Sequence, residues 1–64
     1  MLEYEIYLSH DKVLINPNHI TTVICHGNNK TKISTTDGNT FVVNSPYEEV
    51  KKDIRSYAWK ELEV

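Results

Sequence analysis

Cysteine, glycine and long hydrophobic runs are all scarce in this sequence. The single cysteine, Cys25, cannot form an internal disulfide, so the chain lacks the covalent link that small secreted domains generally need. Its apolar runs, such as Val13 to Ile15, are far shorter than the ~20 residues that a membrane span requires. Glu3 and Glu5 occupy the region where a signal peptide would be basic. These features predict a cytoplasmic protein that does not insert into a membrane.

An excess of basic residues is missing as well. Nine acidic residues against seven basic ones give a formal net charge of −2, whereas nucleic-acid-binding domains usually carry a clear basic excess. The two glycines belong to no Gly-rich segment of the kind that cradles phosphate ahead of a lysine. Nucleic-acid binding is therefore disfavoured, and no cofactor is predicted.

Residues that could bind a metal or carry out catalysis are few and poorly spaced. Cys25 and His26 are adjacent, so on a strand their side chains would point to opposite faces, and His10 and His19 stand apart from them. Cys25 has no base or helix N-terminus at a recognisable spacing to activate its thiol, and a buried or half-buried side chain is expected. Carboxylates of the C-terminal segment, including Asp53, are expected to be solvated. The sequence predicts no metal site, no catalytic residue and no enzymatic activity.

Alternation of apolar and polar residues predicts five strands, at about 2–8, 13–15, 20–25, 30–35 and 40–43. The face of the first strand that is predicted to be buried comprises Leu2, Tyr4, Ile6 and Leu8. The strand at 20–25 is partly apolar on both faces and is placed at the centre of the sheet. The segment Thr31 to Thr36 has few charges that would block pairing at an exposed edge, which predicts a homo-oligomer formed through a sheet edge.

The period of the pattern changes at Asn44. Ser45-Pro46-Tyr47-Glu48 is typical of a helix start, with Ser45 as the N-cap, Pro46 at the first helical position and Glu48 three residues after the cap. Apolar residues then recur at helical spacing and predict a helix at about 46–60. The predicted fold is α+β, a single domain over residues 1–64 in which an antiparallel β-meander of four to five strands is packed by one C-terminal helix.

Aromatic and basic residues supply the candidate binding surfaces. Tyr7, Tyr57 and Trp59 are predicted to anchor a protein interface, where tyrosine and tryptophan are enriched. The alternative, a nucleic-acid-binding regulator, would use the basic residues Lys30, Lys32, Lys51, Lys52 and Arg55.

Three segments, in order Ile15 to Val23, Thr36 to Val43 and Ser45 to Val50, resemble the small FlbD/SwrD flagellar proteins and cover roughly the central half of the chain. They read INPNHITTV, TDGNTFVV and SPYEEV. The resemblance implies a short bacterial accessory protein that acts on flagellar motor or operon function through protein contacts, with no catalytic residues. A relative carried by a phage or mobile element would instead be an inhibitor that binds a host protein. The same strand pattern is similar to the sheet of LytTR-type DNA-binding domains, which implies the nucleic-acid-binding alternative.

Overall fold

The structure is a computed structural model that describes the backbone of residues 1–62 and the side chains of residues 1–57. Within these residues, strands are followed by a single helix in the order β1 (Leu2–Glu5), β2 (Lys12–Ile15), β3 (Ile20–Cys25), β4 (Thr31–Thr35), β5 (Thr40–Val43) and α1 (Tyr47–Leu62). A short 3-10 helix, Pro17–His19, joins β2 to β3. The predicted α+β fold with one C-terminal helix is confirmed. No helix in the described part of the chain is long and apolar enough to cross a membrane.

The strands form two antiparallel sheets that meet at one point. β1 and β2 make a hairpin in which Leu2 lies opposite Ile15, and β3, β4 and β5 make a meander with β4 in the middle. Ile6 forms an isolated antiparallel bridge with Val43, flanked by a 2.7 Å bond from the Tyr7 N–H to the Val42 carbonyl. This bridge connects the hairpin to the free side of β5.

One hydrophobic core joins both sheets to the helix. Ile33 in β4, Val43 in β5 and Val50 in α1 are completely buried, and Tyr4 and Ile15 of the hairpin are nearly so. Half-buried apolar side chains surround these five, namely Leu2, Val13, Ile20, Val23, Phe41 and Ile54. Because a domain of about 60 residues has little apolar surface to bury, this one cluster must supply most of the stability.

The helix starts one residue later than predicted. The carbonyl of Pro46 accepts hydrogen bonds from the N–H groups of Glu49 and Val50, both at 3.1 Å, so Pro46 is the N-cap and the prediction for Ser45 was wrong. The main-chain carbonyl of Ser45 instead accepts a 2.7 Å bond from the hydroxyl of Thr31, which is completely buried. Ser45 is thus tied to β4, and the chain turns into the helix only after it.

The first strand is shorter than predicted, and Leu8 does not face the core. β1 ends at Glu5, and Leu8 is 77% exposed with a positive φ of 76°. Ile6 donates its N–H to the Asp11 carbonyl at 2.7 Å and accepts the N–H of His10 at 2.9 Å, which closes the turn between the two strands. The turn begins inside the alternating segment, so alternation alone placed the strand end too late.

β3 lies at an edge of its sheet, and the prediction of a central position was wrong. β4 is the central strand, so the threonine-rich segment that includes it is not an edge either. The helix covers only one face of the sheet, which leaves Ile24 of β3 49% exposed on the other face. β3 is partly apolar on both faces although it has only one neighbouring strand, so this feature did not indicate a central position.

Tyr4 connects the hairpin to the helix through a hydrogen bond. Its hydroxyl donates to Oδ2 of Asp53 at 3.0 Å, so this carboxylate is half-buried and not fully solvated as predicted. Burial raises the pKa of Tyr4 well above its ordinary value, and the hydrogen bond and charge of Asp53 raise that pKa further. The folded state therefore keeps Tyr4 protonated at a pH where the unfolded chain ionises it.

We expect Tyr4→Phe to lower the free energy of unfolding by about 1 kcal/mol at neutral pH, since it removes one hydrogen bond from a part-buried pair. The raised pKa adds a second effect. Its contribution to stability is fully present below the ordinary tyrosine pKa of about 10 and is lost as the pH rises above that value. Urea unfolding at neutral and alkaline pH should show a smaller alkaline loss in Tyr4→Phe than in Tyr7→Phe, the exposed control. Equal losses in the two variants would contradict this account.

Candidate functional site

The structure describes the side chains of two of the three predicted interface residues, Tyr7 and Tyr57. Tyr7 follows β1 and is 38% exposed, and the Nζ of Lys30 lies 4.2 Å from the centre of its ring. Tyr57 is half-buried on α1. Trp59 lies outside the residues whose side chains the structure describes. Tyr7 and Lys30, which were predicted to contact different kinds of partner, therefore contact each other in a cation–π pair.

The predicted nucleic-acid contacts are divided between two sides of the domain. Lys32 lies between Thr31 and Ile33, both completely buried towards the helix, so its side chain points to the open face of the sheet with Lys30. The three other cations lie on α1, which packs on the opposite face, and they are Lys51, Lys52 and Arg55. The structure does not bring these five residues into one basic surface.

The histidines and the cysteine are equally dispersed. His10 Nδ1 contacts Glu5 Oε2, and this hydrogen bond lowers the pKa of the Glu5 carboxyl. Cys25 is exposed, not buried or half-buried as expected, and its thiol lies 3.7 Å from the carbonyl oxygen of Gly27. Among the described residues, no group of three or more His, Cys, Asp or Glu side chains could hold a metal ion.

A groove of about 370 Å³ lies beside β2. We call it the Leu14 groove. Its floor contains Ile15 and Phe41, and its outer lip is formed by Met1 and Leu14, which are 68% and 63% exposed. The remaining wall is polar and consists of Asn16, His19, Thr35, Thr36 and Asp37. An apolar groove with an exposed apolar lip and a few polar groups is typical of a binding site.

The strand β2 directs the side chains of Leu14 and Ile15 to opposite sides. Leu14 and Ile15 are consecutive in β2, so their side chains point to opposite faces of the hairpin. Ile15 points into the core and is 4% exposed, while Leu14 stays in solvent at the lip. The groove therefore continues from the core to the surface at the end of this strand.

The 3-10 helix brings His19 to the polar wall. Asn16 caps this helix, because its side-chain oxygen accepts the N–H of Asn18 at 3.0 Å, and Pro17 occupies the first position. The carbonyl of His19 then accepts the N–H of Thr36 at 2.8 Å, and its Nδ1 lies 3.2 Å from Thr36 Oγ1. These bonds fix the segment before β3 against the turn between β4 and β5.

That turn places one negative charge at the rim of the groove. Gly38 has a φ of +89°, which favours glycine, and its N–H bonds to the Thr35 carbonyl at 3.1 Å. The Asp37 carboxylate accepts bonds from the Thr35 hydroxyl and from the N–H and side-chain amide of Asn39, the last two at 3.3 and 3.0 Å. These bonds, led by that of Thr35, lower the pKa of Asp37. Asp37 is therefore a fixed carboxylate at neutral pH.

This arrangement suits an apolar side chain that is followed or preceded by a cation. The apolar floor and lip would bury the first, and Asp37 would attract the second. The sequence pattern does not identify Leu14 as part of a groove, because this residue is only the middle of a short apolar run. One indirect signal was available in the two polar turns that contribute to the groove. The turns at Asn16 and Asp37 carry side chains of the kind that bond to the backbone.

The comparison with protein families found a match that covers most of the chain. Most of the lining residues of the Leu14 groove lie in the segments Ile15 to Val23 and Thr36 to Val43, in which the FlbD/SwrD resemblance was found. The family model for FlbD, described as flagellar and swarming motility proteins, matches residues 6–60. Searches of the curated proteins and of the solved structures found no match. With residues 6–60 of its 64 matched, this chain belongs to the FlbD family of flagellar and swarming motility proteins.

Proposed function

We propose that this chain is a non-enzymatic module that serves flagellar or swarming motility by binding another protein in the Leu14 groove. The observation that carries the proposal is the exposed apolar lip of Met1 and Leu14 over an apolar floor. A bound protein would cover the two large apolar side chains at the mouth of the groove. Binding would be favourable because it removes their apolar surface from water.

The partner that fits best presents an apolar side chain next to a lysine or arginine. The apolar side chain would contact Phe41 and Leu14, and the cation would lie near Asp37. A fixed carboxylate at the rim contributes specificity and orientation more than affinity, because the site is open to solvent. The groove thus favours a basic, apolar segment over an acidic one.

The polar wall supports binding over catalysis. His19 already contacts the hydroxyl of Thr36, and the carboxylate of Asp37 is engaged within its own turn. General acid–base chemistry would need such a group to be aimed at a reacting atom in a water-excluding site. The groups in this wall instead hold two turns in place, as expected for the frame of a binding groove.

Photo-crosslinking in the bacterium that encodes the chain tests this proposal. A benzophenone amino acid at position 14 should form a discrete adduct with a flagellar protein, and the same residue at position 8 should not. Leu8 is a matched control because it is also an exposed leucine but does not line the groove. Asp37→Asn keeps the size of the side chain and removes its charge, so it should weaken the adduct at position 14.

Two results would count against the proposal. Equal adducts from positions 8 and 14 would show that crosslinking reports exposure and not a binding site. An adduct at position 14 that is unaffected or strengthened by Asp37→Asn would contradict the predicted basic character of the partner. Circular dichroism of each purified variant controls for loss of fold.

A further inference from the structure

A second groove runs between the helix and the edge of the sheet. It has a volume of about 260 Å³ and is lined by Val23 of β3 and four residues of α1, which are Tyr47, Lys51, Ile54 and Arg55. We call it the β3–α1 groove. Its floor is apolar, and each of its charged groups is a cation. It lies on the helix-covered side of the sheet, next to the strand edge that no other described strand occupies.

The edge of β3 has few of the features that normally prevent strand pairing. Exposed edges are usually protected by charged residues, proline or bulges. The sequence of β3, ITTVIC, contains no charge and no proline, and the irregularity in its pairing falls between Ile20 and Thr22. The regular part from Thr22 to Cys25 therefore presents free backbone groups at an unprotected edge.

Charges on the helix are separated so that this groove is positive. Asp53 bonds to Tyr4, and Glu49 lies close enough to raise the pKa of the same tyrosine, which places both acids on the side of β1. Lys51 and Arg55 line the side of β3. Within the described residues, neither cation forms an ion pair with a carboxylate.

We infer that the β3–α1 groove binds an extended, acidic and apolar segment of another protein, which adds to the sheet as a strand beside β3. Every second side chain of such a segment would point into the groove. One of these would lie on Val23 and Ile54, and the next would be a carboxylate that meets Lys51 or Arg55. This inference extends the proposed function to a second surface with the opposite charge preference.

A second copy of this chain fits the same edge less well. Antiparallel pairing of β3 with itself would put both helices on one face of the joined sheet, so Lys51 and Arg55 of each copy would face those of the other. β3 has no acidic residue to compensate for this repulsion. Charge complementarity therefore favours a different, acidic chain.

Titration of the isotopically labelled chain with a defined peptide tests the inference by NMR. The probe is a capped peptide with threonine at every second position and with valine and glutamate taking turns at the positions between. Its control carries lysine in place of glutamate. The glutamate peptide should bind, with shift changes confined to β3 and to residues 47–55 of α1. Its affinity should fall roughly tenfold in the double variant Lys51→Glu, Arg55→Glu, which should prefer the lysine peptide. Lys52→Glu, an exposed position outside the groove, should leave binding unchanged.

Further arms separate strand addition from other modes of binding. A glutamate peptide that is N-methylated along its ladder edge cannot donate backbone hydrogen bonds and should not bind. Retained binding would overturn strand addition, and tighter binding of oligothymidine than of the peptide would overturn the choice of a protein partner. A dimer of the free chain that dissociates on adding peptide would show that a second copy occupies the edge, which also overturns the inference. Leu14→Arg should bind the peptide normally, so failure here is distinguishable from failure of the Leu14 groove.

Discussion

Replacing Ile33 with alanine should remove most of the stability of this domain. Ile33 is completely buried at the centre of the middle strand, where it packs with Val43 and Val50 in the only large apolar cluster of the described residues. Truncation of a buried isoleucine to alanine typically costs about 2–5 kcal/mol. A core of this size rarely supplies more than about 3–5 kcal/mol in total. The variant is therefore expected to be largely unfolded near room temperature.

Ile24→Ala is the matched control for this prediction. It removes the same atoms from the neighbouring strand, but from a side chain that is 49% exposed on the open face, so we expect a loss below about 1 kcal/mol. Urea unfolding followed by far-ultraviolet circular dichroism measures both losses. Similar losses in the two variants would mean that β3 is as buried as β4, and the strand order would then be wrong.

This pair of variants tests the order of the strands, which the sequence pattern did not predict correctly. The bounds predicted for β3 and β5 are those found, because alternation and β-branched residues report local conformation directly. The order of strands depends on which strands pair, and pairing joins residues that are far apart in the chain. Ile6 bridges Val43, for example, and no local pattern encodes that contact.

Element ends were less predictable than element types for a related reason. Leu8 continues the alternation of β1, yet bonds among Ile6, His10 and Asp11 end the strand before it. Ser45 has the side chain of an N-cap, but Thr31 bonds to its carbonyl, and Pro46 caps the helix that begins at Tyr47. In the first case a local turn, and in the second a bond from a distant strand, overrides the preference of the residue at the element end.

The two grooves were unpredictable because each combines residues from separate elements. The Leu14 groove joins β2 to the turn at Asp37 and to Phe41 of β5. The β3–α1 groove joins Val23 to Lys51 and Arg55, which the sequence offered only as a list of cations. Residue type indicated what these side chains could contact, and only the tertiary structure shows which of them act together.

Leu14→Arg is expected to have the largest functional effect of any exposed substitution. An apolar side chain buried in a complex contributes about 1.5–3 kcal/mol, so its loss weakens binding tenfold or more. The added cation would also repel a basic partner and pair with Asp37 in its place. Because Leu14 is 63% exposed in the free chain, the substitution should leave folding intact.

Leu8→Arg is the control, since it makes the same substitution at an exposed leucine in the first turn, outside the groove. Both variants should retain the circular dichroism spectrum and the unfolding midpoint of the parent chain. They should differ only in function, because both substitutions add one positive charge at an exposed leucine.

Swarm expansion of a strain that depends on this chain, complemented in turn by each variant, is the most direct measurement of whether the Leu14 groove serves motility. The groove-binding account predicts that Leu14→Arg expands no faster than the strain without the chain, while Leu8→Arg restores normal expansion. Normal expansion with a folded Leu14→Arg chain would contradict it.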